Sequence, residues 1–536
     1  MKRIFALGLS AVLALVSCHR GAPDYRNIPD KSTPVAGGTR VLATAGEAAL
    51  LNPILAHDSA SLDLCDEIFN GLVRYNPKLE LEGDLAASWQ VLDGGRTIVF
   101  HLKPGVKWQD GAPFTAEDAK FTVERILDPK VPSPRKSGFD LVESMSVPDP
   151  LTLKVRYRKP FAPALEAWSQ GLLPKHLLEG KDLVHDPFNR LPIGTGPYRL
   201  KEWKDKQFAE LEANPEYFGG SVRISRLLVK FIPETATQLL ELKTGGIDGM
   251  DLQPEQYVNE AKGEAFERSL RSFRFPGMDQ YTYLGFNLRK APFDDVRVRT
   301  ALSVAIDRQE LIQGVMLGLA RPCSGPYSPL MQAYDPQVAP LALDLTRSAA
   351  LLDQAGWRPG PEGVRIKGGK PLEFTILTNK GNSPREKTVL ILQQQFLKIG
   401  VRVHVQVLEW SDLISNHIDK QSFDAVLLGW QLSLDPDQYP VWHSSQTHPG
   451  ELNFIGFQDA ECDRLLESGR TTFDPHKRIA LYRAFHRRLA ELQPVAFLYA
   501  PDSLSAVSLK FQGLLETDTG YAWEAPTRWW IPKSVQ

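Results

Sequence analysis

One stretch in the last third of the chain has the pattern of a β-strand, an α-helix and a second β-strand. Residues 372–378 alternate apolar and polar side chains, which is typical of a half-buried strand. Ser383 then offers a helix N-cap, and Glu386 follows three residues later as in a capping box. The next apolar residues recur at helical spacing up to Gly400, and residues 401–407 carry a valine at every second position. The stretch is therefore predicted to be a βαβ unit, which places the chain in a mixed α/β class.

Two more elements are recognisable from their patterns. Asp294 or Asp295 is expected to cap a helix whose apolar residues, from Val298 to Ala305, fall on one face. The continuous apolar run 425–430 is typical of a strand that is buried on both faces. Ligands of open α/β sheets bind beyond the carboxyl ends of the strands, so we expect a ligand site just after this run.

Aromatic and hydroxyl side chains stand at the predicted strand ends. Trp410 follows the valine strand, and Trp430 ends the apolar run. Ser433, Asp435 and Tyr439 come shortly after it. Large rigid side chains with polar edges suit the wall of a cleft for a small molecule or a peptide. Either tryptophan could instead close a domain core, and the pattern leaves both roles open.

The overall composition excludes several classes of protein. Hydrophobic residues make up 43% of the chain and charged residues 24%, which is ordinary for a folded soluble protein. The formal net charge of -2 provides no general attraction to a nucleic-acid backbone, so no nucleic acid is expected as a partner. After the N-terminus, no apolar run reaches the roughly 20 residues that a membrane-spanning helix needs.

The N-terminus, MKRIFALGLSAVLALVSC, has the pattern of a secretory signal over residues 1–17. Lys2 precedes an apolar run too short to span a membrane, and Cys18 ends a lipobox, so its thiol is expected to carry a diacylglycerol. An ordinary signal peptide and a buried helix are the alternatives. Cys18 and residues 19–38, which are rich in proline and end in Gly-Gly, are expected to form a flexible tether. We expect a periplasmic or cell-surface protein that its lipid holds to a membrane.

The sequence contains no catalytic constellation. The motifs G-x-S-x-G, H-E-x-x-H, G-x-G-x-x-G and the P-loop are all absent, so we expect no enzyme, no cofactor and no metal. Cys65, Cys323 and Cys462 are scattered without a C-x-x-C pair, and buried thiols are expected. A peptidase that uses His443 and Asp435 is an alternative that lacks a nucleophile.

Several segments together match one family. The motif GDLAASW from Gly83 and the following GGRTIVFHLKPGVKWQDGAPFTAEDAKF resemble the signature of the family 5 bacterial extracellular solute-binding proteins, the peptide-binding receptors of ABC importers. The similarity continues in five further segments: IFNGLVRYNP from Ile68, PIGTGPYRLKEW from Pro192, ELKTGGIDGM from Glu241, APFDDVRVRTALSVAIDR from Ala291 and LLDQAGW from Leu351. It therefore covers nearly all of the chain after the tether.

The resemblance implies an α/β fold of the two-lobed periplasmic-binding-protein kind (type II, cluster C) with an extra domain inserted in lobe I. By this analogy lobe I comprises residues 39–71, 194–280 and 508–536, the extra domain 72–193, and lobe II 281–507. Such receptors close over their ligand by hinge motion, and a membrane permease recognises the closed form. The resemblance implies a monomer that works with an ABC permease of the cytoplasmic membrane.

The resemblance also implies a binding site. Receptors of this family that take peptides hold the ligand as an added strand. The matching stretch in this chain is Gly429-Trp430-Gln431-Leu432-Ser433. Trp410 is expected as a pocket wall. Ser61 matches a position that contacts ligand from lobe I in relatives, and a role as a loop or helix-cap hydroxyl is the alternative.

Ser433 departs from the pattern of the family. Well-known peptide receptors have an aspartate at this place, which pairs with the α-amino group of the ligand. A serine hydroxyl brings no charge, so an anchor typically worth about 1.5–3 kcal/mol is absent unless Asp435 reaches into the site.

The sequence thus predicts a lipid-anchored receptor that captures oligopeptides and delivers them to an ABC permease. A different solute, such as an oligosaccharide, an opine-like conjugate or a metal chelate, is the alternative within the same scaffold. A ligand sensor or an adhesion factor that has kept the fold is the alternative from another class.

Overall fold

The computed structural model describes residues 23–44, 46–56, 58–76, 80–514 and 527–536. This part of the chain contains two large β-sheets and a smaller sheet inserted between strands of the first. We call the described residues around the first sheet lobe I (23–72, 190–275 and 503–536), those around the inserted sheet the insert (73–189), and those around the second sheet lobe II (280–501).

The insert is built on a four-stranded antiparallel sheet. The chain enters it from strand β1 (Thr39–Thr44) and helix α1 (Ser59–Ile68) of lobe I. The elements of the insert are β2 (Val73–Tyr75), β3 (Leu81–Gly83), β4 (Ala86–Leu92), β5 (Thr97–Leu102), α2 (Ala116–Leu127), β6 (Val142–Asp149), β7 (Thr152–Tyr157), α3 (Ala164–Ala167) and α4 (Lys175–Leu178). The sheet has the order β4-β5-β7-β6. Its core continues into lobe I, because Phe100 and Trp168 belong to the same buried cluster as Leu64 of α1.

Lobe I resumes after the insert. Its elements there are β8 (Tyr198–Lys204), β9 (Phe208–Ala213), β10 (Arg226–Phe231), α5 (Thr235–Thr244), β11 (Gly249–Asp251), α6 (Pro254–Asn259), α7 (Glu264–Glu267) and β12 (Leu270–Phe275). Strand β10 pairs in parallel with β1, so the two ends of the chain around the insert meet in one sheet.

Lobe II is formed by one long segment of chain. Its elements are β13 (Gln280–Phe286), α8 (Val296–Val304), α9 (Arg308–Gly314), β14 (Ala320–Pro322), α10 (Leu345–Gln354), β15 (Arg358–Pro359), β16 (Arg365–Lys367), β17 (Lys370–Pro371), β18 (Glu373–Asn379), α11 (Ser383–Leu397), β19 (Arg402–Leu408), α12 (Trp410–Asp412), β20 (Ala425–Gln431), α13 (Tyr439–Trp442), α14 (Ala460–Thr471), α15 (Pro475–Leu492) and β21 (Val495–Pro501). The large sheet has the order β14-β21-β13-β20-β18-β19.

The predicted βαβ unit is confirmed as β18, α11 and β19, with the two strands parallel. The helix cap lies one residue before the predicted Ser383, because the Asn382 side chain accepts a hydrogen bond from the Arg385 N–H at 3.1 Å. Gly400 ends the helical segment with a φ of 78°, a conformation that favours glycine. The buried run at 425–430 is also confirmed, since β20 lies between β13 and β18 inside the sheet.

The last strand corrects one predicted boundary. Strand β22 (Ser503–Ser508) follows β21 directly but pairs with β11 and β12, so the sheet of lobe I has the order β12-β22-β11-β1-β10-β9-β8. The prediction placed residues up to 507 in lobe II. Hydrogen bonds to β11 and β12 instead place the whole of β22 in lobe I.

The predicted tether is wrong for residues 23–38. The Tyr25 N–H donates to the Arg268 carbonyl at 2.8 Å, Ile28 is buried, and Asp30 accepts a hydrogen bond from the Ser534 hydroxyl at 2.5 Å. Apolar burial and main-chain hydrogen bonds hold this segment against lobe I despite its prolines. The predicted lipid site, Cys18, lies outside the described residues.

The three cysteines of the globular part behave as predicted. Cys65, Cys323 and Cys462 are all buried and free. Within the described ranges, the structure has no helix with the length and apolarity needed to cross a membrane.

Asp502 joins the two lobes where the chain passes from β21 to β22. Its carboxylate binds Arg274 of β12 in lobe I at 2.7 Å and Arg321 of β14 in lobe II at 2.7 Å. The side chain is only 1% exposed. Its N–H donates to the Leu319 carbonyl at 2.9 Å, which completes the hydrogen bonding of this crossing.

We expect Asp502→Asn to lower the free energy of unfolding by about 2–4 kcal/mol, because it removes the charge that two arginines share. Urea unfolding monitored by circular dichroism measures the change. Asp294→Asn, at an exposed aspartate, is the matched control and should change stability by less than about 0.5 kcal/mol. Equal stabilities of the two variants would contradict this role of Asp502.

Candidate functional site

A cavity of about 810 Å³ lies where lobe I, the insert and lobe II meet. Lobe I contributes residues of α1 such as Asp63, the insert contributes Phe161 and Glu166, and lobe II contributes Ser433 and Asp435. The volume falls in the range of ligand-binding pockets, about 300–1,000 Å³. The cavity therefore has the position and the size of a ligand site between lobes.

Arg470 closes the cavity by connecting lobe II to the insert. Its guanidinium donates to the Ser137 carbonyl at 2.7 Å, and its own carbonyl accepts from the Ala162 N–H at 2.7 Å. The guanidinium also lies over the rings of Phe161 and Tyr439, with centroids 4.8 Å and 4.2 Å away. The side chain thus lies between an aromatic ring of the insert and one of lobe II.

Two aspartates behind β20 are each paired with an arginine. Asp435 forms a bidentate ion pair with Arg478 of α15, with both distances at 2.6 Å. Asp437 pairs with Arg470 at 3.0 Å, and burial raises the pKa of the Asp437 carboxyl to about 6. Asp435 is therefore held in an ion pair within lobe II and is not available as a free anchor for a ligand.

Ser433 and Glu166 form a hydrogen bond across the lobes. The Ser433 hydroxyl donates to the carboxylate of Glu166, which lies in α3 of the insert. Burial and the neighbouring Asp435 carboxylate raise the pKa of Glu166 to about 7. Ser433, which brings no charge of its own, therefore has the Glu166 carboxylate beside it. That carboxylate comes from the opposite side of the cavity.

Strand β20 has an open edge over the second half of its length. It pairs with β13 along its whole length, but with β18 only at Ala425 and Val426. The Leu432 N–H donates to the Asp279 carbonyl at 2.5 Å. Because antiparallel pairs alternate, the main-chain groups of Gly429 and Gln431 then point away from β13, towards the open edge.

The side chains of this stretch have structural partners. The Trp430 ring stacks on Tyr283 with centroids 6.3 Å apart, and the Gln431 amide donates to Asp279 at 2.6 Å. Leu432 is buried. Trp430, Gln431 and Leu432 are not among the residues that line the cavity. Their contribution to binding stays a prediction, and it would come from their main-chain groups.

Trp410 and Ser61 lie apart from the cavity. Trp410 is 51% exposed in α12. Ser61 is fully buried, where its hydroxyl donates to Asp58 at 2.5 Å and accepts from the Ala49 N–H at 2.9 Å. The N-cap of α1 is Asp58, so the Ser61 hydroxyl has a structural role inside the first turn, where it joins the cap residue to the preceding loop.

The residues proposed for a peptidase do not form a pair. His443 is buried, stacks on Tyr439 at 4.0 Å and bonds to the Ser445 hydroxyl at 2.8 Å. Asp435 is held by Arg478. The described residues contain no group of three or more His, Cys, Asp or Glu side chains that could hold a metal ion.

Sequence reasoning missed Glu166 and Arg470. The Ser433–Glu166 contact joins residues 267 positions apart, so no local sequence pattern predicts it. Asp437 did have a usable signal, because the triplet 435–437 places two aspartates directly behind a predicted strand end.

The fold and the cavity together define a two-lobed binding protein whose site lies between its lobes. Residues 80–451 match the profile described as Bacterial extracellular solute-binding proteins, family 5 Middle. The chain belongs to this family, which confirms the predicted fold class.

Three comparisons show how similar its relatives are. The oligopeptide-binding protein AppA of Bacillus subtilis is 32% identical over 99% of each chain. A solved structure of that protein in complex with a nonapeptide matches with a TM-score of 0.86 over 94% of this chain and 100% of the other, at 31% identity. NikZ from Campylobacter jejuni in complex with Ni(L-His) matches with a TM-score of 0.84 over 92% of this chain and 99% of the other, at 30% identity.

We expect Arg470→Ala to weaken solute binding about tenfold, because it removes the hydrogen bond to Ser137 and the ring contact with Phe161, which exist only when the insert and lobe II touch. Isothermal titration calorimetry with the solute that co-purifies with the protein measures the change. The control is Arg464→Ala on the same helix, whose side chain is exposed and bonds only to Glu461. Equal affinities of the two variants would show that Arg470 does not support the closed form.

Proposed function

We propose that this protein captures oligopeptides between its lobes and delivers them to an ABC permease. The observation that carries the proposal is the open edge of β20, where Gly429 and Gln431 pair with β13 on one side and with none of the described strands on the other. An extended peptide added to such an edge gains main-chain hydrogen bonds that do not depend on its side chains. The structurally similar AppA was solved in complex with a nonapeptide, which is a ligand of the proposed class.

The geometry supports a receptor that works by closing. The open edge belongs to lobe II, whereas most of the cavity wall belongs to lobe I and the insert. A ligand that touches both sides stabilises the closed form over the open form, and a permease then distinguishes the two. The protein acts as a monomer and carries out no chemistry of its own.

Substitutions at Gln431 test the main-chain mode. Gln431→Pro removes an N–H that points to the open edge without removing a hydrogen bond to β13, so the sheet should tolerate it. We expect a loss of peptide affinity of about tenfold. Gln431→Ala is the matched control and should stay within about twofold of the parent protein, because it keeps the N–H.

The experiment starts with the solute that the cell provides. The chain from residue 18 onward, with Cys18 replaced by serine, is purified and denatured, and released small molecules are identified by mass spectrometry. Released peptides, followed by weaker calorimetric binding of those peptides to Gln431→Pro than to Gln431→Ala, would support the proposal. Equal binding to both variants would exclude the added-strand mode.

A non-peptide solute is the second candidate. It is favoured by the similarity to NikZ, whose structure contains Ni(L-His). Release of a metal chelate, a sugar or a conjugate in the same experiment would replace the peptide assignment and keep the receptor role.

We further propose that a lipid on Cys18 holds the protein at the membrane. Cys18→Ser should move the protein from the membrane fraction to the soluble fraction of the cell envelope, as measured by ultracentrifugation and immunoblotting. Cys65→Ser, at a buried free thiol, is the control and should leave the protein in the membrane fraction. An unchanged distribution of Cys18→Ser would contradict the anchor.

A further inference from the structure

Glu166 is a carboxylate that closure brings into contact with lobe II. It lies in α3 of the insert and accepts a hydrogen bond from the Ser433 hydroxyl. The Tyr75 hydroxyl and the Asp435 N–H lie within hydrogen-bonding reach of the same carboxylate. All of these donors are neutral, so they orient the carboxylate without compensating its charge.

The charges around Glu166 are unfavourable to it. Its charged neighbour across the interface is Asp435, whose own partner is Arg478. Among the described side chains, no lysine or arginine forms an ion pair with Glu166. Seven carboxyl groups line the cavity, against four arginines: Asp63, Asp66, Glu67, Asp84, Glu166, Asp435 and Asp437, and Arg40, Arg74, Arg135 and Arg470. The closed cavity is therefore short of positive charge.

This shortage has an effect on Glu166 in the closed form. Burial and the Asp435 carboxylate raise its pKa from an ordinary value of 4.5 to about 7. When the lobes separate, Ser433 and Asp435 move away with lobe II, and Glu166 regains solvent. Closing therefore favours the neutral form of Glu166, or a cation beside its charged form.

We propose that Glu166 makes closure of the lobes depend on a positive charge in the cavity, which a cationic nitrogen of the solute supplies. This inference rests on the proposed receptor function and names the class of solute that the site prefers, namely one with a protonated amine or a guanidinium at the end that meets α3. In the absence of solute, a proton on Glu166 has the same effect.

The direction of the pH effect follows from the two states. Because Glu166 binds a proton more tightly in the closed form, the closed form gains as the pH falls from 7 towards 4.5, by up to about tenfold per pH unit. Other titratable groups face the same interface: Asp437, whose pKa burial raises to about 6, and Tyr75 and Asp435 with its partner Arg478. Comparing the parent protein with a Glu166 variant separates the pH effect of Glu166 on closure from that of Asp437.

The first experiment uses the solute-free protein. The radius of gyration is measured by small-angle X-ray scattering at pH 5.5 and pH 8 for the parent protein, Glu166→Gln and the control Glu124→Gln on α2. We expect the parent and the control to be more compact at pH 5.5 than at pH 8, and Glu166→Gln, which mimics the protonated side chain, to show a clearly smaller difference, which is the share of Asp437. The same pH response in Glu166→Gln as in the parent would overturn the proposal.

The second experiment uses three peptide probes at pH 7, where an α-amino group is mostly protonated: penta-alanine amide with a free amino terminus, N-acetyl penta-alanine amide, and the same blocked peptide with one lysine. We expect the parent protein to prefer the two cationic probes by about tenfold and Glu166→Gln to show no preference. Equal affinities of the parent for charged and blocked probes would overturn the proposal while leaving the receptor function intact. Binding of none of the probes would count against the peptide assignment, and the scattering experiment then decides the role of Glu166.

Discussion

The two crossings between the sheets are the constraint on which the rest of the structure depends. The chain passes from β12 to β13 and from β21 to β22, so lobe II is attached to lobe I by two neighbouring connections. Asp502 sits in one of them and binds an arginine from each lobe. Two adjacent connections of this kind are the arrangement of a hinge, and the buried carboxylate fixes the position of the two lobes at that point.

Local chemistry explains which parts of the fold could be predicted. The βαβ unit was predictable because β18, α11 and β19 each carry their own period of apolar residues. Strand β22 was assigned to the wrong lobe. Its local sequence does not determine which of the two large sheets it joins. Its place is set by pairing with β12, whose residues lie more than 200 positions earlier.

The site was harder to predict for the same reason. Ser433 and Asp435, which the sequence singled out because they follow a buried strand, both line the cavity, and their part in binding stays a prediction. The sequence also suggested that Asp435 could replace the aspartate missing at position 433. In the structure Asp435 is already paired with Arg478, on a helix some forty residues later. Trp410 was predicted from its place after a strand and Ser61 from the resemblance, and in this chain Trp410 lies at a solvent-exposed helix start whereas Ser61 is buried in the first turn of α1. Partners from distant elements decide what a strand-end residue does.

The packing of residues 23–38 has a mechanical consequence. The contacts of this segment with Arg268, Ser534 and Arg223 are all made to lobe I. A pull applied at the N-terminus is therefore transmitted to lobe I and not across the pivot. Whatever holds that end in place, lobe II keeps its freedom to swing, so attachment to a surface and capture of a solute do not compete for the same motion.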